Sequence, residues 1–190
     1  MKSVSPLDEI RVLIANRVRE GFDDRETIIE DMVDWAASEF PDHDLEAFIE
    51  AMITEQFAEH ERTQASWSYP TDCDRLDMAF AELEKRGILA RQNFACCQNC
   101  GFAEIGEEIR AAAFPVKGFT FYHMQDTEAA MEDGSLCLAY SAIDFQDASC
   151  VEIGKQIVEI LEKFDLKTAW DGTIQTRIEI TGFDWKRRRV

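Results

Sequence analysis

Apolar residues recur at helical spacing through the first 65 residues, and this periodicity constrains the fold more than any other feature of the sequence. The first helix is predicted to start at Ser5-Pro6, the second near Asp24 and the third near Asp42 or Asp44. The apolar stripes of the three helices consist of Leu7, Ile10, Leu13, Ile14 and Val18, then Ile28, Ile29, Met32, Val33 and Ala36, and then Leu45, Phe48, Ile49, Met52, Ile53 and Phe57.

From Thr71 onward, strand-like segments alternate with helical ones. A helix capped by Thr71 or Asp72 is predicted to end at Gly87, and Asp171-Gly172 predicts a two-residue hairpin. Further helices are predicted after the cysteines near residue 100, over Asp126–Glu132 and over Asp147–Phe164. The predicted strands are Ile88–Ala95, Lys117–His123, Ser135–Ile143, Leu166–Trp170 and Ile174–Ile180. The fold class is therefore α+β, with an N-terminal three-helix segment packed on a mixed sheet of about five strands that has helical cover.

The domain prediction is a helical appendage over 1–65 and an α+β domain over 71–190 that contains the cysteines. Three short helices bury little surface alone, so we expect the appendage to pack on the larger domain. The connection between them contains Trp67 and Tyr69, and two large aromatic side chains in a link are expected to be buried in an interface.

The net charge of −18 disfavours nucleic-acid binding, because such a field repels a phosphate backbone. The basic tail 186–189 is too short to reverse this and is expected to be solvated. No run of apolar residues is long enough to span a membrane, and the N-terminus lacks the apolar core of a secretory signal, so a cytoplasmic protein is expected. A protein partner is compatible with this composition, and the oligomeric state is not predicted.

The strongest chemical signal is the segment Cys96-Cys97-Gln98-Asn99-Cys100-Gly101. Cys97 and Cys100 form a C-x-x-C pair with Cys96 beside it, and two cysteines at this spacing can share one zinc ion. Gly101 is expected to take a positive φ in the turn. A complete site needs further ligands, and the candidates elsewhere are Cys73, Cys137, Cys150, His43, His60 and His123.

Two other interpretations of these cysteines stay open beside zinc. In a redox interpretation, Cys97 would exchange disulfides with Cys100, but a helix predicted to start after Gly101 leaves Cys97 outside the first turn. The acidic residues Glu104, Glu107 and Glu108 would also disfavour a nearby thiolate. In the third interpretation, the cysteines fill the core as small apolar residues, as Cys137 and Cys150 are expected to do. A nucleophile and base formed by Cys96 or Cys97 with His123 is a weaker alternative.

The sequence has no glycine-rich phosphate loop, nucleophile elbow or zinc-protease motif. Two stretches, Thr71-Asp72-x-Asp74-Arg75-Leu76 with Gly87-Ile88, and Asn93-Phe94-x-Cys96-Cys97-Gln98-x-Cys100-Gly101, resemble an uncharacterised bacterial family of unknown function over roughly residues 70 to 185. That resemblance implies a bacterial origin and a shared fold, and no activity.

Two functional hypotheses follow. The first is a non-enzymatic cytoplasmic binding or regulatory protein with a structural or zinc-stabilised cysteine turn formed by Cys97, Cys100 and Cys96. The alternative is a thiol-dependent enzyme or redox sensor that uses Cys97 and Cys100.

Overall fold

The computed structural model describes residues 5–189, in which the chain forms seven helices and five strands. By its contacts the chain divides into two compact units. One comprises Met1–Ser68 with Lys186–Val190 and is called the helical unit below; the other, Tyr69–Trp185, is called the sheet unit. The tail 186–189, assigned from the sequence to the second domain, thus lies with the helical unit.

The helical unit consists of α1 (Pro6–Glu20), α2 (Arg25–Glu39) and α3 (Glu46–Gln64). The Ser5 hydroxyl accepts the Asp8 N–H at 3.2 Å, and the Asp24 carboxylate accepts the Thr27 N–H at 2.8 Å, so the first two helices begin where the sequence predicts. The third begins slightly later than predicted. The predicted stripes supply its core, which consists of Ile10, Ile14, Val18, Ile28, Met32, Ala36, Ile49 and Ile53.

The arginines of the C-terminal tail are held by the helical unit, so the expectation of a solvated tail is wrong. Arg189 donates to the carbonyls of Val18 at 2.9 Å, Asp23 at 2.6 Å and Arg17 at 3.2 Å, at the end of α1. Its guanidinium also lies 4.4 Å from the ring centroid of Phe57. A cation is stabilised there by the unsatisfied carbonyls and the negative end of the helix dipole.

The neighbouring Arg188 does the same at the end of α3. It donates to the carbonyls of Gln64 at 3.2 Å, Trp67 at 3.0 Å and Ser68 at 3.1 Å. Trp67 also packs edge-on against His60, with ring centroids 5.4 Å apart. Tyr69, in contrast, is 74% exposed.

The sheet unit contains a mixed sheet in the order β1-β2-β3-β5-β4. Its strands are β1 (Ile88–Arg91), β2 (Gly118–Phe121), β3 (Ser135–Ala142), β4 (Thr168–Ala169) and β5 (Ile178–Thr181). The pair β1–β2 is parallel, and the pairs β2–β3, β3–β5 and β4–β5 are antiparallel. The predicted mixed sheet of five strands is confirmed.

Four helices cover this sheet: α4 (Asp72–Lys85), α5 (Gln98–Ala111), α6 (Met124–Asp133) and α7 (Asp147–Lys163). The helix α4 packs on β1 and α7, while α6 packs on β3 and α7 packs on β2, β3 and β4. Ile105 of α5 shares a core with Leu89, Phe119, Phe121 and Ala139. This core anchors α5 against the β1–β2 edge.

The predicted two-residue hairpin at Asp171-Gly172 is wrong, because β4 and β5 are joined by the longer loop 170–177. The Asp171 carboxylate accepts the Thr173 N–H at 2.9 Å and the Thr176 hydroxyl at 2.6 Å. These bonds fold the loop on itself and keep the residues after Gly172 out of the sheet.

Candidate functional site

The cysteines follow a loop whose backbone is bent by two residues in the left-handed region. The strand β1 ends at Arg91 rather than at the predicted Ala95, because Asn93 and Ala95 have φ of 49° and 62°. Such a conformation costs an alanine about 1–2 kcal/mol, so the surrounding contacts must hold it.

Two backbone hydrogen bonds hold the loop against the chain that leaves β2. The Phe94 N–H donates to the Tyr122 carbonyl at 2.8 Å, and the Met124 N–H donates to the Ala95 carbonyl at 3.2 Å. Cys96 therefore follows directly on a residue that is tied to the start of α6.

The helix α5 starts at Gln98 with Cys97 as its N-cap residue, so the predicted start after Gly101 is wrong. The Gly101 N–H donates to the Cys97 carbonyl at 2.9 Å, the first hydrogen bond of the helix. The first turn contains no acidic residue, and Glu108 pairs with Arg91 at 2.6 Å. The acidic residues that argued against a thiolate at Cys97 therefore lie beyond the first turn.

Gly101 is helical and buried, so the expected positive φ is wrong. A Cβ at this position would lie 2.3 Å from Cε2 and 2.6 Å from Cζ of the Phe121 ring. Phe121 is fully buried and cannot move aside easily. The glycine is needed here for close helix-to-strand approach, which brings the N-terminus of α5 onto the sheet.

The three thiols at this helix start, Cys96, Cys97 and Cys100, converge and are called the cysteine cluster below. Their sulfur atoms lie within 4.8 Å of one another, and the sulfurs of Cys96 and Cys100 are 3.4 Å apart. Tetrahedral zinc with bonds of about 2.3 Å separates its sulfur ligands by about 3.8 Å. The cluster could therefore hold a metal ion with little rearrangement.

The thiols of the cluster differ in acidity. The N–H of Cys100 is the largest influence that lowers the pKa of Cys97, and the thiols of Cys100 and Cys96 and the N–H of Asn99 add to it. Cys97 makes no capping hydrogen bond of ordinary geometry, so these amides stabilise its thiolate at longer range. The thiols of Cys96 and Cys97 raise the pKa of Cys100 to about 12. A sulfur that ionises more easily than an ordinary cysteine thus lies beside one that keeps its proton.

The other candidate ligands named from the sequence do not join the cluster. Among the described residues, no histidine and no fourth cysteine lies close enough to these three thiols to share a metal ion with them. None of the six cysteines is in a disulfide. Cys73 and Cys150 are buried, Cys137 is half-buried and His43 is exposed, while His60 lies in the helical unit, where its Nε2 is 3.0 Å from the Arg187 carbonyl oxygen.

His123 is the N-cap of α6, where its Nδ1 accepts the Asp126 N–H at 3.3 Å. Its Nε2 lies 3.1 Å from the Asp126 carboxylate, which also pairs with Arg177 at 3.0 Å. Burial is the main cause that lowers the pKa of His123. The imidazole is thus committed to a buried polar network that joins α6 to the loop before β5.

Two features of these surroundings were missed from the sequence. The first is the left-handed conformation of Ala95, for which the sequence has no local signal. The second is the role of Cys97 as the N-cap of α5; its position four residues before Gly101 could have indicated this.

A groove of 480 Å³ lies on the helical unit between Arg25, Phe57, His60 and Arg189, and it contains no cysteine. Its Arg189 is already bonded to three carbonyls, so the groove offers less chemistry than the cluster.

Among the described residues, the structure contains no helix with the length and apolar character needed to cross a membrane.

Comparison with known proteins gives a match to a protein family. No curated protein and no solved structure matches the chain. A family model described as "Domain of unknown function (DUF6891)" matches residues 4–189, which cover the sheet unit, nearly all of the helical unit and the cysteine cluster. This match confirms the resemblance to a family of unknown function and extends it from the sheet unit to the helical unit. The chain belongs to the family of this domain of unknown function.

Proposed function

We propose that the protein is a non-enzymatic binding or regulatory protein that holds a thiophilic metal ion, such as zinc, on Cys96, Cys97 and Cys100. The observation that carries this proposal is the convergence of three sulfurs within 4.8 Å at the start of one helix. Thiolate ligands select zinc, Cu(I) and similar ions over magnesium or calcium. The cluster is also accessible, since Cys96 is exposed and the other two thiols are half-buried.

Metal content tests this proposal. The protein purified without chelator should carry close to one thiophilic ion per chain, and the variant with Cys96, Cys97 and Cys100 all changed to serine should carry none. The matched control is Cys137→Ser, which removes a half-buried thiol outside the cluster. Equal metal content in the triple variant and in the control would overturn the proposal.

We infer a second candidate, thiol–disulfide exchange by Cys97 and Cys100, from the position of Cys97 as the N-cap of α5. In this reaction the Cys97 thiolate attacks a small disulfide and releases one thiolate, and Cys100 then attacks the mixed disulfide and releases the second. The substrate disulfide is reduced to two thiols while the Cys97–Cys100 disulfide forms, and the Cys100 proton passes to solvent.

Peptide mapping after treatment with glutathione disulfide tests this candidate. The Cys97–Cys100 disulfide is expected in the wild type and in Cys96→Ser, and a trapped glutathione adduct on Cys97 is expected in Cys100→Ser. A disulfide between Cys96 and Cys100 in the wild type, with Cys97 still reduced, would contradict the assignment.

A further inference from the structure

An exposed methionine, Met124, lies next to the cysteine cluster along the hydrogen-bonded backbone. Met124 is the first residue of α6 and is 45% exposed. Its thioether is a soft sulfur donor that needs no deprotonation to bind a metal ion.

The backbone brings Met124 to the cluster. Its N–H donates to the carbonyl of Ala95 at 3.2 Å, and Cys96 is the next residue after Ala95. The bond between Phe94 and Tyr122, at 2.8 Å, keeps the two segments paired just before this point. The backbones of Cys96 and Met124 are therefore neighbours, and both side chains are exposed.

The cap and the buried face of α6 do not include the Met124 side chain. The cap of α6 is formed by His123 and Asp126 through bonds of 3.1 and 3.3 Å, and neither bond involves the Met124 side chain. The buried face of α6 consists of Asp126, Thr127, Ala130 and Met131. A methionine side chain has three rotatable bonds and adapts readily to a new contact.

We propose that the Met124 thioether is the fourth ligand of the cluster and makes it a site for a soft monovalent ion, Cu(I). This inference rests on the proposed function and names its metal. Three thiol sulfurs and one thioether form an all-sulfur donor set, which suits Cu(I), whereas closed zinc sites are formed by cysteine and histidine. Without Met124, the same three thiols hold either ion with one position left to solvent.

Copper competition measures the contribution of Met124. The full chain, reduced and under anaerobic conditions, is titrated with Cu(I) against a chromogenic Cu(I) chelator. Loss of an outer-shell partner already weakens metal binding by about 10–100-fold, so Met124→Leu should weaken Cu(I) binding by at least about tenfold. Zinc affinity should stay within about twofold in the same variant, since zinc gains little from a thioether. Met52→Leu, in the helical unit, is the matched control.

A second variant tests whether position 124 reaches the metal. Met124→His converts the donor set to three cysteines and one histidine, a closed zinc site, and should tighten zinc binding by at least about tenfold. Direct evidence comes from methyl-labelled methionine: Ag(I), a diamagnetic substitute for Cu(I), should shift the Met124 methyl resonance and leave that of Met52 in place. Both Met124 variants should keep the fold, because Met124 is exposed at a helix start, and Met52→Leu is a volume-conserving change at a half-buried position.

The outcomes separate this inference from the proposed function. Cu(I) affinity in Met124→Leu equal to that of the wild type, while the triple cysteine variant loses Cu(I), would overturn the role of Met124 and leave the metal site standing. Cu(I) binding that survives in the triple cysteine variant would overturn the proposed function and the inference together.

Discussion

Gly101 lies directly under the ring of Phe121, with room for a hydrogen atom and for no larger group: a Cβ would be 2.3 Å from Cε2. Gly101→Ala should therefore destabilise the protein by about 1–3 kcal/mol, as overpacking of a rigid core does. Because Gly101 follows Cys100 directly, the variant should also weaken metal binding.

Chemical denaturation of Gly101→Ala, of Phe121→Leu and of the double variant measures the contact. Phe121→Leu removes the ring that causes the clash, so the double variant should be more stable than the sum of the single effects predicts. If the two single changes in the free energy of unfolding simply add in the double variant, the contact between Gly101 and Phe121 does not limit the position of α5.

Ala95 has a φ of 62°, which glycine adopts without strain. Ala95→Gly should stabilise the protein by about 0.5–1 kcal/mol, since relief of strain exceeds the added entropy of the unfolded chain. Asn93→Gly is the contrasting variant, because Asn93 tolerates this conformation and accepts the Thr127 hydroxyl at 2.7 Å. The Asn93→Gly variant should therefore be destabilised by about 1 kcal/mol, because it loses this hydrogen bond. Thermal melts compare the two, and a destabilised Ala95→Gly would contradict the assigned strain.

The lowered pKa of Cys97 increases its thiolate fraction near neutral pH, while Cys100, with a pKa of about 12, stays protonated. Metal-stripped protein treated with iodoacetamide should therefore be alkylated first at Cys97. Cys137, whose pKa is raised by burial, is the internal control. Peptide mapping at short times gives the order of modification, and a Cys97 that reacts no faster than Cys137 would contradict the assigned acidity.

Arg189 satisfies carbonyls at the end of α1 through three hydrogen bonds. Arg189→Ala should lower the stability of the helical unit by about 1.5–3 kcal/mol, the range for hydrogen bonds to a charged group. Arg189→Lys should recover only part of this, because an ammonium cannot match the planar guanidinium. Arg62→Ala is the control, since Arg62 is exposed and its ion pair with Glu59 is screened by solvent and should contribute little to stability. A loss no larger than that of the control would contradict the capping role.

The pKa of His60 is lowered by burial, and the pKa of His123 is lowered mainly for the same reason. Each imidazole has a lower pKa in the folded protein than in the unfolded chain. At pH values between these two pKa values, the unfolded chain therefore binds more protons than the folded protein. Stability is then fully present above the unfolded pKa of about 6.5 and is lost as the pH falls below it. Denaturation at about pH 5 and about pH 7.5 measures the loss, which should be smaller in His60→Gln. An unchanged loss in His60→Gln would show that His60 does not contribute.

Helix ends were predictable where the signal was local. Thr71 caps α4 in a reciprocal capping box with Asp74, at 3.1 and 2.8 Å, and Gly87 follows the helix with a φ of 81°. The start of α5 was not predictable in this way, because Gly101 is selected by Phe121 on a different strand. A glycine next to cysteines looks locally like a turn residue, and only the tertiary contact makes it helical.

The candidate site was predictable to the same degree. The C-x-x-C spacing indicated that Cys97 and Cys100 approach each other. Cys96 was included as a candidate because it directly precedes Cys97 in the sequence. The separation of His123 from this group depends on Arg177, which is distant in sequence and engages Asp126 beside it.

The basic tail was wrongly expected to be solvated for a similar reason. Its partners are main-chain carbonyls, which have no signature in the sequence.

The tail arginines also have a consequence for the order in which the protein is made. The ribosome synthesises the helices of the helical unit first, but the side chains that cap α1 and α3 emerge only after the whole of Tyr69–Trp185. The sheet unit has all of its own residues before that moment. The helical unit therefore lacks part of its set of hydrogen bonds until Arg188 and Arg189 have been synthesised, and the nascent chain carries these helix ends uncapped until then.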